Sequence, residues 1–140
     1  MPRGQSIIRC AGGVVHDASG RLLLVRRGRE PSAGKWSLPG GRLLSGELMT
    51  DAVARELREE TGLTVNPASL AGIVTRGRYE IHDYFCTVVA GALRAGDDAE
   101  DARWFDRDEY DALDRNGDLV DGLTATLRSW HALPTGPRRT

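Results

Sequence analysis

Short apolar runs separated by turn signals fill the first part of the chain. Residues 7–15 are rich in β-branched side chains and predict a strand, and residues 22–26 predict a second strand. Turn-forming residues at 17–20 lie between them, so the two strands are expected to form a hairpin. A polar loop is predicted at 28–34. Pro39-Gly40-Gly41 then predicts a tight backbone turn, because neither residue type favours a helix interior.

The clearest helical pattern covers residues 48–61. Met49, Val53 and Leu57 follow one another at intervals of four, which places them on one side of a helix. Gly62 comes directly after this pattern, where a left-handed C-terminal cap is expected. The segment therefore predicts an amphipathic helix that begins after a glycine-rich turn and ends at a glycine.

Two more strands are predicted in the second half of the chain. They cover residues 70–75 and 79–93 and are joined by a turn near Gly77. An acidic loop at 95–101 follows and leads to a short apolar stretch at 102–105.

Two helices are expected near the C-terminus, a short one over 106–113 and a longer one over 118–133. Four apolar residues line one side of the longer predicted helix: Leu119, Leu123, Leu127 and Trp130. The tail after Pro134 is expected to be disordered. Together these elements predict one α/β domain over residues 1–140, with an ordered core at 6–133.

Composition narrows the class of protein. Apolar residues make up 40% and charged residues 28% of the chain, which is ordinary for a water-soluble globular protein. A net charge of -1 provides no basic face for duplex nucleic acid, and no apolar run is long enough to cross a bilayer. The N-terminus lacks the apolar core of a secretory signal. Cys10 and Cys86 lie in predicted strands, where buried free thiols are expected. The chain is expected to be cytoplasmic, as a monomer or homodimer.

Three carboxylates are crowded together on the helix predicted over residues 48–61. Glu56, Glu59 and Glu60 are three and four positions apart, so they share an arc of about 100° in which like charges repel. Arg55 can pair with Glu59, whereas Glu56 and Glu60 have no comparable partner on the helix. One interpretation is a solvated acidic surface. The other is a cleft in which a divalent cation offsets the repulsion, since Mg²⁺ prefers oxygen ligands and joins carboxylates to phosphates.

A longer motif surrounds these carboxylates. It consists of a glycine, five residues, a glutamate, seven residues and then Arg-Glu-Leu-x-Glu-Glu-x-Gly-Leu, and it resembles the complete Nudix box. The segments at 35–41 and 102–105 also resemble those that flank the box in the Nudix hydrolase family. The matching residues are Gly41, Glu47, Arg55, Glu56, Leu57, Glu59, Glu60, Gly62 and Leu63.

The resemblance implies a fold and a set of roles. The fold is the α/β Nudix fold, a mixed β-sheet between helices, in which the box forms a loop-helix-loop. Glu56 and Glu60 are implied as direct metal ligands, and Glu59 as a further ligand or a nearby base. The carbonyl group of Gly40 is implied to complete the metal site.

Two charged residues of the box are implied to organise the others. Arg55 would orient Glu59 and help to neutralise the cluster. Glu47 would anchor the loop before the helix, through Arg55, or act as a partner of the helix dipole at its N-terminus; the two roles are compatible. Gly41 and Gly62 are the structural glycines of the box.

A further acidic residue outside the box often takes part in this family. Asp97, Asp98, Glu100 and Asp101 lie in the predicted acidic loop. Asp98 is favoured by its distance before Trp104. For each of the four, a solvated loop charge is the alternative.

The activity implied by the resemblance is hydrolysis of the diphosphate linkage of a nucleoside diphosphate linked to another group, such as ADP-ribose or a dinucleoside polyphosphate. Mg²⁺ is the expected cofactor, with Mn²⁺ as a substitute. A MutT-type enzyme that clears oxidised nucleotides is one alternative, and a non-catalytic nucleotide-sensing module is another.

The residues that would select the substrate lie outside the box. ADP-ribose-cleaving relatives often carry a proline about sixteen residues past the box, where this chain has Tyr79. Each candidate residue has an alternative interpretation as a surface charge or as part of the core. The candidates for contact with phosphate or base are Arg26, Arg78, Tyr79 and Trp104, followed by Arg27, Arg29, Arg76 and Tyr84.

Overall fold

The computed structural model describes residues 6–96 and 99–136 of the chain. The strands of this part are β1 (Ile8–Val15), β2 (Leu22–Arg27), β3 (Trp36–Ser37), β4 (Gly40–Arg42), β5 (Leu63–Arg76), β6 (Tyr79–Gly91) and β7 (Ala99–Phe105). The helices are α1 (Met49–Thr61), α2 (Arg107–Arg115) and α3 (Leu123–Ser129). None of the helices within this part is long and apolar enough to span a membrane.

The strands form two sheets. The larger has the order β4-β1-β6-β5, in which β1 and β6 are parallel and the other pairs are antiparallel. The smaller has the order β3-β2-β7 and is antiparallel throughout. The predicted mixed sheet is therefore confirmed, with a second sheet beside it.

The predicted hairpin of the first two strands is wrong in its pairing. The turn itself forms, since the backbone N–H of Gly20 donates to the carbonyl oxygen of Asp17 at 2.9 Å. However, β1 and β2 lie in different sheets and share a single bridge, between His16 and Leu22. The physical reason is that β1 has neighbours on both sides, β4 and β6, which occupy both of its hydrogen-bonding edges.

Helix α1 covers one face of the larger sheet and has the predicted length. It ends at Gly62, which is left-handed at φ 75° and donates its N–H to the carbonyl oxygen of Arg58 at 3.0 Å. Alternate residues of β1 point towards α1, so the predicted apolar side of the helix is buried against them. The core between them consists of Ala11, Val15, Leu23, Ala52, Val53, Leu57, Leu63, Val65 and Cys86.

The C-terminal helices help to enclose a second core, and their predicted extents need correction. Helix α2 begins with a capping box between Asp106 and Glu109. The long helix expected over 118–133 is wrong, because only α3 is helical and Gly122 before it is left-handed at φ 80°. The apolar residues of this segment are nevertheless buried, because Leu119, Leu123 and Leu127 belong to the second core. This core consists of Val14, Leu22, Leu24, Trp36, Phe105, Tyr110, Leu119, Leu123, Leu127 and Ala132.

Three strand boundaries also differ from the predictions. β5 begins at Leu63 rather than at residue 70, and it contains several register shifts that break the alternation of its side chains. β6 ends at Gly91, two residues before the predicted end. β7 begins at Ala99, so residues 99–101 belong to a strand and not to the expected acidic loop.

The chain remains packed beyond the predicted ordered core. Pro134 is fully buried, and the backbone N–H of Thr135 donates to the carbonyl oxygen of Gly20 at 3.0 Å. The expected disorder after Pro134 is therefore wrong for Thr135 and Gly136, because these residues lie against the turn after β1. Residues 137–140 lie outside the described part.

Candidate active site

The candidate active site lies between β4 and the C-terminal half of α1. The tight turn predicted at Pro39-Gly40-Gly41 is wrong for the two glycines, because they begin β4 and pair with Gly12 and Ala11 of β1. Both glycines are needed because other groups approach their α-carbons closely. A Cβ on Gly40 would lie 2.4 Å from the carbonyl oxygen of Ala11, and a Cβ on Gly41 would lie 2.5 Å from the carboxylate of Glu56. The start of β4 therefore brings backbone directly against the acidic side of the helix.

Arg55 connects the acidic groups of this region. Its guanidinium binds Glu47 with two hydrogen bonds, Nε to Oε2 at 2.8 Å and Nη2 to Oε1 at 2.9 Å. Nη2 also donates to the backbone carbonyl of Arg42 at 3.1 Å, which ties α1 to the end of β4. Only 16% of the Arg55 side chain is exposed, so this network is shielded from bulk solvent.

Glu47 is hydrogen-bonded by this network and by the loop before α1. Besides Arg55, its carboxylate accepts the backbone N–H of Leu44 at 2.9 Å. The hydrogen bonds from Arg55 are the main reason that the pKa of Glu47 falls to about 2. The N-cap of α1 is Leu48, which makes no side-chain capping bond. The expected anchoring of the loop through Arg55 is thus seen in the contacts.

The expectation that Glu56 lacks a partner is wrong. Nη1 of Arg55 donates to Glu56 Oε2 at 3.1 Å and to Glu59 Oε1 at 3.0 Å. Glu47 binds Nε and Nη2 of this guanidinium, so Nη1 is the nitrogen that contacts the carboxylates of α1. Glu59 is 42% exposed and therefore keeps access to solvent.

Glu56 and Glu60 form a close carboxyl pair, which is called the Glu56–Glu60 pair below. Burial raises the pKa of Glu56, and the charge and hydrogen bond of Arg55 act in the opposite direction. Burial, followed by the charge of Glu56, raises the pKa of Glu60 to about 8. Glu60 also accepts the backbone N–H of Gly40 at 3.2 Å. Two desolvated carboxyl groups beside each other favour a bound proton or a cation.

The Glu56–Glu60 pair fits a divalent cation in its chemistry but supplies only part of a ligand set. Among residues 6–96 and 99–136, no three His, Cys, Asp or Glu side chains are arranged to hold a metal ion. Glu59 is drawn towards Arg55 instead. Two carboxylates with adjacent backbone match the partial protein coordination of Mg²⁺, which keeps several waters and takes substrate phosphate oxygens.

The predicted acidic loop provides no third carboxylate in the described residues. Asp101 accepts the backbone N–H of Ala102 at 2.8 Å and binds Arg103, and Glu100 pairs with Arg26 at 3.1 Å. Both lie on β7, at the smaller sheet. Asp97 and the favoured Asp98 lie outside the described residues.

The four favoured substrate contacts lie in different parts of the molecule. Arg26 pairs with Glu100 and lies 6.0 Å from the ring of Trp36. Tyr79 accepts a hydrogen bond from Nη2 of Arg42, the last residue of β4, at 3.2 Å. The remaining two are Arg78, which is exposed beside the turn after β5, and Trp104, which is half-buried against the first core.

One residue near the site was missed in the sequence, and a less favoured candidate lies closer than expected. Arg27 is close enough to Glu60 for its charge to lower that carboxyl's pKa. Asp83 on β6 is 5% exposed, and burial raises its pKa to about 6. A signal was available for Asp83, because aspartate is disfavoured in the middle of a strand.

Sequence comparisons identify the family. The NUDIX domain profile matches residues 7–124. An ADP-ribose pyrophosphatase from Methanocaldococcus jannaschii is 39% identical over 92 residues, which cover 61% of this chain and 54% of that protein. A MutT-like protein from Streptomyces ambofaciens is 34% identical over 136 residues, which cover 89% of this chain and 86% of that protein.

Some relatives are much longer than this chain. The match covers about half of the archaeal protein, 24% of a nudix hydrolase from Caenorhabditis elegans and 33% of an 8-oxo-dGDP phosphatase from Danio rerio. The activities of those whole proteins are therefore not assigned to this chain by the matches alone.

Solved structures agree with the sequence comparison. A MutT NUDIX hydrolase from Burkholderia pseudomallei superimposes with a TM-score of 0.72 and 30% identity, covering 92% of this chain and 99% of that chain. A NUDIX hydrolase from Nitrosomonas europaea has a TM-score of 0.77 at 20% identity, covering 95% and 77%, and shows the shared fold alone. With the profile match, the complete box and the common fold, the chain belongs to the NUDIX family of hydrolases.

Proposed function

We propose that this chain is a divalent-metal-dependent hydrolase that cleaves the diphosphate linkage of a nucleoside diphosphate joined to another group, with Mg²⁺ as the physiological ion and Mn²⁺ as a substitute. The Glu56–Glu60 pair is the observation that carries this proposal. Its carboxyl groups are desolvated and adjacent, and the pKa of Glu60 is raised to about 8. Such a pair is costly for a purely structural helix and is suited to a cation.

In this proposal, the residues of the box divide the work. Glu56 and Glu60 hold the ion, the backbone carbonyl of Gly40 and the side chain of Asp98 add ligands, and Glu59 is a further ligand or takes the proton of the attacking water. The ion, when bound, would lower the pKa of water and bind the diphosphate oxygens.

Arg55 is a positioning residue in this proposal. It holds Glu59 at 3.0 Å and Glu56 at 3.1 Å, while Glu47 fixes the orientation of its guanidinium. Because Glu59 remains 42% exposed, it can accept a proton from water that attacks phosphorus. The bond from that phosphorus to the bridging oxygen breaks, and the leaving phosphate departs with the bridging oxygen.

A MutT-type activity on oxidised nucleoside phosphates is the second candidate. It is supported by the MutT-like protein of Streptomyces ambofaciens, which aligns with most of this chain. The first candidate is supported by the ADP-ribose pyrophosphatase, whose identity over a shorter segment is higher. A nucleotide-sensing module without catalysis is disfavoured, because every defining residue of the box is present.

A substrate screen with identification of products tests the proposal. Purified protein is incubated with Mg²⁺ and ADP-ribose, a dinucleoside polyphosphate, 8-oxo-dGDP or 8-oxo-dGTP in ¹⁸O-labelled water, and products are analysed by mass spectrometry. We expect Mg²⁺-dependent cleavage of ADP-ribose or the dinucleoside polyphosphate, with ¹⁸O in one phosphate product. Selective cleavage of the oxidised nucleotides would favour the second candidate. No turnover of any substrate, despite binding, would favour the sensing module.

A further inference from the structure

A row of paired residues crosses the larger sheet with almost no side chains. Gly12 on β1 is directly opposite Gly40 on β4 and Asp83 on β6, and Asp83 is opposite Gly72 on β5. Residues paired across neighbouring strands project from the same face of a sheet. Three glycines and one aspartate therefore form this row, and Asp83 supplies its single side chain. The name "glycine row" is used for these four residues.

The glycine row lies on the face of the sheet opposite α1. Side chains alternate along a strand, and Ala11 and Val15 of β1 belong to the core beneath α1. Gly12 consequently faces the other side, where the second core lies. At the β5 end, Trp130 closes the row, because a Cβ on Gly72 would meet its indole nitrogen at 2.4 Å.

The space above Gly12 is shared by two hydrogen-bond acceptors. A Cβ on Gly12 would lie 2.3 Å from Oδ1 of Asp83 and 2.9 Å from the carbonyl oxygen of Pro39. The absence of a side chain at Gly12 thus leaves room for the Asp83 carboxylate. The carbonyl oxygen of Pro39 already accepts the backbone N–H of Gly13 at 3.0 Å, so Asp83 is the acceptor at this point that lacks a donor. A ligand that provides an N–H or O–H group would supply it.

The Asp83 carboxylate has no hydrogen bond from any residue of the described part of the chain, although the residue is 95% shielded. No side-chain oxygen or nitrogen there is both fully buried and without a partner, so the small exposed surface of Asp83 includes its carboxylate. Burial raises the pKa of Asp83 to about 6, against the charges of His82 and Arg76. A carboxylate in this position is costly unless something binds it.

Arg76 does not satisfy Asp83. Its guanidinium donates to the backbone carbonyl of Asp121, in the segment before α3. This bond ties that segment to β5 and leaves the carboxylate of Asp83 open to an external donor.

The chemistry of the glycine row distinguishes between parts of a nucleotide. A carboxylate beside a carbonyl oxygen repels phosphate and accepts hydrogen bonds from uncharged N–H or O–H groups. The row begins at Gly40, whose N–H contacts Glu60 of the Glu56–Glu60 pair. β6 lies two strand spacings from β4, about 10 Å. The two places lie on opposite faces of the sheet, but β4 is its edge strand. A substrate that lies across this edge can therefore place its diphosphate at the Glu56–Glu60 pair and its nucleoside at Asp83.

We propose that Asp83 accepts a hydrogen bond from an uncharged N–H or O–H group in the nucleoside part of the substrate and thereby determines which nucleotides bind. The proposal rests on the proposed function, because it assigns the nucleoside end of the same substrate. The shared chemistry is the donor group, which either the base or the sugar can supply.

Binding of non-hydrolysable nucleotides tests this assignment without catalysis. The probes are α,β-methylene diphosphates of guanosine, inosine, adenosine, purine riboside and the 2′-deoxy forms, titrated in Mg²⁺ by calorimetry. Inosine and purine riboside lack the exocyclic amino group of guanosine and adenosine, and the 2′-deoxy forms lack a sugar hydroxyl. For the wild type, we expect at least one of these deletions to weaken binding about tenfold or more.

The variant Asp83→Ala removes both acceptor oxygens of the side chain, whereas an asparagine would keep an amide oxygen that still accepts a hydrogen bond. We expect Asp83→Ala to bind the parent nucleotide about tenfold more weakly and to lose the discrimination against the analogue that lacks the donor. Glu80→Ala is the matched control, since Glu80 lies on the same strand but on the opposite face and pairs with His82. It should bind all probes as the wild type does. Melting curves establish that both variants are folded.

The outcomes separate the two proposals. If the wild type binds these probes and Asp83→Ala shows the same affinities and discrimination, the assignment of Asp83 is wrong while the proposed function stands. If the wild type binds none of the probes, the nucleotide substrate itself is wrong, and the role of Asp83 is overturned with it. The donor is identified by comparing the analogues that lack a base amino group with those that lack the 2′-hydroxyl. It is the group whose removal weakens binding to the wild type but not to Asp83→Ala.

Discussion

Two regions of the box hold carboxylates under opposite conditions. In the anchored region, Glu47 receives two hydrogen bonds from Arg55, and its pKa falls to about 2. In the Glu56–Glu60 pair, burial and mutual repulsion raise the pKa of Glu60 to about 8. A single guanidinium is shared unequally between the two regions, because its fork is directed mainly at Glu47. The first region is thus complete in itself, whereas the second requires a proton or a cation.

The largest expected effect is on catalysis when the second region is altered. Glu60→Gln keeps the shape of the side chain but removes a charge that the proposed ion needs. We expect kcat to fall about a thousandfold or more, which corresponds to roughly 4 kcal/mol of transition-state stabilisation. Steady-state kinetics on a substrate identified by the screen provides the measurement.

Arg58→Gln is the control for this variant. Arg58 lies on the same helix, is exposed and is not part of the Glu56–Glu60 pair. We expect it to retain nearly full activity. Equal losses in the two variants, or an unimpaired Glu60→Gln enzyme, would show that Glu60 is not essential.

The next largest expected effect is on stability when the anchored region is altered. Arg55→Ala leaves Glu47, Glu56 and Glu59 without their common partner in a shielded site, so we expect the free energy of unfolding to fall by about 3 kcal/mol. Urea denaturation measures this change. Arg55→Lys should recover only part of it, since a lysine retains the charge without the two-pronged geometry.

The control for Arg55→Ala is the same substitution at Arg58, an exposed arginine of the same helix. Arg58→Ala should change the free energy of unfolding by no more than about 0.5 kcal/mol. If Arg55→Ala lowered the free energy of unfolding no more than Arg58→Ala does, the network around Arg55 would not be what attaches β4 to α1.

The box was predictable because its information is local. The spacing of Met49, Val53 and Leu57 and the glycine at 62 define α1, and the geometry agrees at both ends. The glutamate spacing also predicted the crowding of Glu56 and Glu60. What the spacing could not reveal is the direction of the Arg55 fork, which depends on the loop that presents Glu47.

The rest of the chain was harder to predict because its structure depends on distant partners. β5 continues through Pro67 since its pairing with β6 tolerates register shifts. Leu119 has helical spacing but is held by a bridge to Trp36, more than eighty positions away. The surroundings of Asp83 come from three other strands, which are distant in the sequence. The sequence around Asp83 therefore indicated only that an aspartate is unusual in a strand.

The smallest expected effect, and the most specific, concerns the link between protons and Mg²⁺. Because the pKa of Glu60 is raised in the folded protein, its protonated form contributes stability that is present below the usual pKa of 4.5 and is lost as the pH rises through about 8. Mg²⁺ should therefore stabilise the protein more at pH 8.5 than at pH 6.5. With Mg²⁺ at a hundred times its Kd, mass action gives about 2.7 kcal/mol.

Calorimetric titration with Mg²⁺ at pH 7, in two buffers with different heats of ionisation, tests the central claim most directly. A carboxyl with a pKa of about 8 is mostly protonated at this pH, so binding of the ion to the Glu56–Glu60 pair should release close to one proton. At pH 9.5 the release should nearly vanish. Glu60→Gln should bind Mg²⁺ at least tenfold more weakly and release no proton, and Arg58→Gln should behave as the wild type. Wild-type protein that binds Mg²⁺ without releasing a proton, or a Glu60→Gln variant with unchanged affinity, would contradict the assignment of the ion to this pair.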